Sequence, residues 1–117
     1  MDKYWYKAGA DANWATVTGN WWTTAAHNVQ STLPATDDAV YLTGSRRPDT
    51  GPAAAITFTR FDTSLLTDYS LDAGVSTNIT IKSGGVLLMG VSGPVGRSHL
   101  WSGDAADAGS IDFNSYC

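Results

Sequence analysis

At 117 residues and a net charge of −4, the chain is one small domain, long enough for a core and too short for two. Only 15% of its residues are charged, all eleven acids are Asp, and no basic run exceeds Arg46-Arg47. That pattern excludes a binder of nucleic-acid backbone, which needs clustered Lys and Arg.

Lys3-Tyr4-Trp5-Tyr6-Lys7 alternates charge and aromatic with period two, which predicts a strand. Ala8-Gly9-Ala10-Asp11 should turn it, and Asn13-Trp14-Ala15-Thr16-Val17 reads as a second short strand before a turn at Gly19-Asn20. Trp21-Trp22-Thr23-Thr24 follows, then a loop through His27 to Thr32. A lone Trp between a turn and a short apolar strand is expected to plug the core, so Trp14 is taken as buried. Trp21 and Trp22 are adjacent and cannot both point inward along a strand.

Pro34-Ala35-Thr36-Asp37-Asp38 reads as a turn leading into Ala39-Val40-Tyr41-Leu42, with Val40 and Leu42 on one face and Ala39 and Tyr41 on the other. Residues 44 to 52 hold the turn formers Gly44, Pro48, Gly51 and Pro52 and predict a loop. Residues 53 to 60 return to strand, with Ile56 and Phe58 inward and Thr57 and Thr59 outward. Residues 61 to 68 fit one poor helical turn.

Then a rhythm of short strands and glycine turns appears. Tyr69-Ser70-Leu71 is followed by Asp72-Ala73-Gly74, Asn78-Ile79-Thr80-Ile81 by Ser83-Gly84-Gly85, and Val86-Leu87-Leu88-Met89 by a turn from Gly90 to Pro94. Leu100-Trp101, a turn at Ser102-Gly103-Asp104, and a last strand Ser110-Ile111-Asp112-Phe113 complete the chain. No stretch has the periodicity of a real helix. The expected fold is all-β, a β-sandwich or short β-solenoid with little or no helix. The expected organisation is a single domain over 1–117, with a Trp-rich module at 1–43 and a short-strand region at 53–117.

Chemistry is sparse. Asp37-Asp38 are neighbours in an extended stretch and point apart, so they suit a turn better than a paired site. Asp104 and Asp107 lack the ligand alternation and bidentate acid of a calcium loop. His27 and His99 have no metal-ligand spacing, and Cys117 alone offers no zinc set. Asp49, Asp62, Asp68 and Asp72 are candidate carboxylates for glycan cleavage, but no spacing selects a pair. Glycine-rich stretches lack a phosphate-loop pattern, and the sequon Asn78-Ile79-Thr80 falls in a strand. No catalytic residue, metal site or cofactor is expected. Residues 1–20 carry no signal-peptide pattern and no apolar run approaches the ~20 residues of a membrane helix, so a soluble protein without a membrane partner is expected. Cys117 reads as a free terminal thiol.

Tyr4-Trp5, Asn13-Trp14, Gly19-Asn20-Trp21, and Pro34 with Asp37-Asp38-Ala39-Val40-Tyr41-Leu42 form a combination that resembles a Trp-rich module of tailed-phage virion proteins. Head fibres and capsid-decorating proteins carry such modules, as do the starts of β-solenoid regions in bacterial surface proteins. The likeness covers roughly the first third of the chain; beyond it the Val/Ile/Thr/Gly-rich sequence agrees only in style. Trp22 doubles the tryptophan, and the solenoid-like part is shorter than in surface adhesins. The resemblance implies a non-enzymatic virion structural protein located on the capsid surface or fibre: a decoration, cement or fibre-base subunit. Its partner would be capsid or another virion protein, and it would form a homo-oligomer, with a trimer as one form. Five Trp, five Tyr and three Phe against three Lys and no Glu predict leftover apolar surface, with Trp5, Trp21, Trp22 and Trp101 as interface candidates. The alternative is a carbohydrate- or cell-surface-binding module in which those aromatics stack on sugars.

Overall fold

The computed structural model describes residues 1–67, 78–89 and 108–113. They form strand, turn and loop with no helix among them, as the all-β expectation requires. The strands are β1 Asp2–Trp5, β2 Trp21–Trp22, β3 Ala39–Gly44, β4 Ile56–Leu66, β5 Ile79–Met89 and β6 Ala108–Phe113. They make one sheet in the order β2-β1-β3-β4-β5-β6. Only β2 runs antiparallel to its neighbour; every other pair is parallel. From β3 onward, spatial order is chain order, and the register steps Ala39↔Arg60↔Val86↔Ser110 across the sheet.

Period-two alternation decides which side chains meet. Val40, Phe61 and Leu87 lie at one level, Trp5 and Leu42 at the next, and all five are buried. Phe58 and Ile81 pair at a third level of the same inner face. Trp14 and Trp21 complete this core without belonging to its long strands. Trp21 meets Trp5 edge to face at 5.4 Å and Trp14 at 4.8 Å, and Trp14 stacks on Phe58 at 6.3 Å. Aromatic pairs of this geometry add to the area they bury.

The Gly19-Asn20 corner brings Trp21 into place. Gly19 has φ +80°, and a Cβ there would stand 2.8 Å from the Cα of Gly9. Two turns therefore touch backbone to backbone, which only glycine allows. Asn20, fully buried, accepts the Gly9 amide through Oδ1 at 2.9 Å and donates through Nδ2 to the Asp11 carbonyl at 2.7 Å.

Three sequence expectations are corrected. Residues 13–17 are not a strand, because the Asp11 carboxylate accepts from the Asn13 amide at 3.0 Å and the Thr16 hydroxyl at 2.6 Å. Such a bond closes an Asx-type turn before a ladder can form. Residues 61–66 are strand, not a helical turn, since Phe61 and Leu66 join the core and Leu65 and Leu66 pair with Thr43 and Gly44. Ser83-Gly84-Gly85 is not a turn between two strands but an interruption within β5, where the register slips between Phe58 and Arg60. Gly84 takes φ +83°, while a Cβ on Gly85 would lie 2.6 Å from the Thr59 carbonyl. The strand expected at 53–60 starts at Ile56, and the last strand is found as expected around Ser110–Phe113. Tyr69-Ser70-Leu71, the turns at 72–74, 90–94 and 102–104, and Leu100-Trp101 lie outside the described residues.

We predict that Trp14→Ala destabilises the fold by about 3–5 kcal/mol in urea titration, since Trp14 is buried against two aromatic rings. A variant as stable as the parent would remove Trp14 from the core. We also predict that Gly19→Ala costs at least about 2 kcal/mol, from left-handed backbone strain plus the clash with Gly9. Gly84→Ala, with the same φ and open space around it, should cost less. Equal losses at the two positions would contradict the close-approach argument.

Candidate functional site

The four tryptophans expected at an interface separate sharply. Trp5 and Trp21 are 0% exposed and cannot touch a partner, which corrects their assignment. Each is fixed by its own indole N–H: Trp5 Nε1 donates to the Arg46 carbonyl and Trp21 Nε1 to the Trp14 carbonyl, both at 2.8 Å. Strand parity sends the neighbour the other way, so Trp22 is half-exposed on the outer face, opposite Tyr4. Its indole donates to the Tyr6 carbonyl at 2.9 Å. Trp101 lies outside the described residues.

The outer face holds the candidate site. At one level the register aligns Asp2, Ala39, Arg60 and Val86; at the next it aligns Tyr4, Tyr41, Asp62 and Leu88. Tyr4 and Tyr41 stand side by side, stacked at 4.7 Å with 12° between their planes. The Arg60 guanidinium lies 5.8 Å from the Tyr41 ring and 3.4 Å from Asp62 Oδ2. Asp62 is buried; its Oδ1 accepts from the Ser64 amide at 2.8 Å and the Ser64 hydroxyl at 2.6 Å. Burial, with Asp2 nearby, pushes the Tyr41 hydroxyl above its ordinary pKa of 10.0. Ala39, Tyr4, Tyr41, Val86 and Leu88 are all half-exposed. The result is a half-buried row of aromatic and aliphatic side chains with one held guanidinium among them.

A second aromatic cluster closes the sheet edge. Tyr6 stacks on His27 at 4.0 Å and also lies against Gly44, where a Cβ would come within 2.8 Å of the ring. Gly44 adopts φ +84°, so the ring and the backbone demand glycine together. His27 itself has φ 57°, and Trp22 meets it edge-on at 6.5 Å. Thr43 Oγ1 donates to the Trp5 carbonyl at 2.7 Å, so its oxygen accepts from His27 Nε2 at 3.1 Å. His27 thus pins the 23–30 loop to β3.

The described carboxylates have local tasks. Asp38 Oδ2 accepts from the Ala35 amide at 2.8 Å, closing the turn before β3, while Asp37 points instead towards Lys82 at 3.4 Å. Asp49 pairs with Arg46 at 2.8 Å. Buried Lys3 donates to Thr32 Oγ1 at 2.7 Å and lies 3.9 Å from Asp38 Oδ2. Among the described residues no three His, Cys, Asp or Glu gather as a metal site. Compared with family models, curated proteins and solved structures, the chain matches none of them.

Sequence reasoning missed the outer row because it depends on register. Period-two patterning at 3–7 and 39–42 puts Tyr4 and Tyr41 on solvent faces, but only strand pairing sets them side by side with Arg60.

Burial lowers the His27 pKa below its ordinary value of 6.5. The native state then binds this proton less readily than the unfolded chain, so stability rises with pH. We predict that stability falls as pH drops through 6.5 and that the loss is complete below the folded pKa. His27→Gln should remove that slope below pH 6.5 in chemical denaturation. An unchanged slope in the variant would place the titrating group elsewhere.

Proposed function

We propose that this chain is a non-enzymatic structural subunit of a virion, a capsid decoration, cement or fibre-base protein that holds another protein subunit against its outer sheet face. The observation that carries the reading is the Tyr4–Tyr41–Arg60 row, a half-buried aromatic and cationic surface fixed by its own stacking. Tyr4 and Tyr41 turn ring faces to each other, and Tyr6 turns one face to His27. Rings that cover one another leave fewer faces for a sugar to stack on. The parallel register suits a short β-solenoid whose first turn is closed by β2. There Gln30 Nε2 donates to the Val17 and Trp21 carbonyls at 2.8 Å, covering the sheet edge. The likeness of the Trp-rich segment to phage virion modules supports the virion setting.

One observation favours a carbohydrate-binding module instead. Trp22 is half-exposed and makes only an edge-to-face contact with His27 at 6.5 Å, an indole beside an exposed loop.

We predict that size-exclusion with light scattering on the purified chain, alone and mixed with virion proteins, finds an assembly burying at least about 1,000 Å² in total. Leu88→Lys should release it while leaving circular dichroism unchanged. A monomer that binds none of these proteins and is retarded on a glycan matrix, with Trp22→Ala abolishing the retardation, would select the alternative.

A further inference from the structure

We propose that the outer sheet face is a two-fold, self-complementary contact, and that the subunit it holds is a second copy of this chain. This rests on the reading of that face as an interaction surface and names its occupant. Register supplies the argument. Asp2 pairs with Ala39 and Ala39 with Arg60, so an exposed acid and a half-exposed base flank a small residue, about 4.8 Å to either side.

Consider a copy turned over about a two-fold axis that runs parallel to β3, above Ala39 and midway between the two sheets. β1 and β4 exchange places while strand direction is kept. Asp2 of each copy then faces Arg60 of the other, and Ala39 faces Ala39, where small side chains permit close approach. One level along, Tyr41 meets Tyr41, and Tyr4 lies over the Arg60–Asp62 pair. Aligned sheets pack face to face about 10 Å apart, a gap that Arg and Tyr side chains span from both sides. The guanidinium is already oriented by Tyr41 and Asp62, so little side-chain freedom is lost on contact. A partner of unrelated sequence would need its own acid and base at this spacing; a second copy has them by symmetry.

The test is a charge exchange read by sedimentation equilibrium at micromolar concentration. Wild type should be a dimer. Arg60→Asp and Asp2→Arg should each be monomeric, their dissociation constants raised more than about tenfold by two like-charge contacts per dimer. An equimolar mixture of the two single variants should form a heterodimer, and the double variant Asp2→Arg/Arg60→Asp should regain the homodimer. Ala39→Trp, which leaves both charges in place, should dissociate the dimer by bulk at the axis. It decides the matter with Asp2→Arg if Arg60→Asp does not fold. A wild-type trimer or monomer, single variants that still dimerise, or folded single variants that stay apart when mixed would overturn the proposal. A monomer that nevertheless binds a virion protein in a Leu88→Lys-sensitive way would overturn only this inference and leave the assembly reading standing.

Discussion

A buried indole must find an acceptor for its N–H, and that requirement organises the first half of this chain. Trp21 finds one in the Trp14 carbonyl and Trp5 in the Arg46 carbonyl, so two loops are drawn onto the sheet by the residues they cover. The Trp14 amide in turn donates to Thr50 Oγ1 at 3.0 Å, and the Asp49 amide to the Ala12 carbonyl at 2.7 Å. The loop after β3 therefore belongs to the same unit as the Trp-rich segment. Without these bonds the tryptophans would carry unpaired donors into a dry core, at a penalty comparable to the packing they bring.

The sheet that results has two faces with different work. Its inner face joins Trp5, Leu42, Phe61 and Leu87 in a core that closes over Trp14 and Trp21. Its outer face keeps Tyr4, Tyr41, Val86 and Leu88 half-exposed around Arg60. Parallel sheets in which helices cover both sides bury both faces of each strand. Here alternation persists within parallel strands, which leaves one face for contact. The proposed function follows from that asymmetry, and the two-fold contact from the order in which register sets Asp2, Ala39 and Arg60.

Local chemistry was legible in the sequence where one residue decides. Val40 and Leu42 alternate inward, the Pro34–Asp38 turn closes through Asp38, and Trp14 fills the core. It was not legible where a side-chain bond or strand pairing overrides composition. Asp11 captures the Asn13 amide and overrides the strand-like composition of 13–17. The polar run Asp62-Thr63-Ser64 reads as a poor helix, yet β3 pairing holds it extended. Gly84 and Gly85 look like a turn because a bulge inside a strand uses the same residues as a turn. Trp5 and Trp21 look like interface residues because composition counts aromatic area without saying which face it occupies.

The central claim is that the Trp-rich segment and the parallel strands fold as one cooperative unit held by those indole bonds. Hydrogen exchange of the tryptophan Nε1–H groups, followed by nitrogen-labelled NMR, tests it most directly. The account predicts that the Trp5 and Trp21 indoles exchange as slowly as the amides of Phe61 and Leu87, and only through global unfolding. Indoles that exchange freely while the β4 and β5 amides stay protected would contradict it.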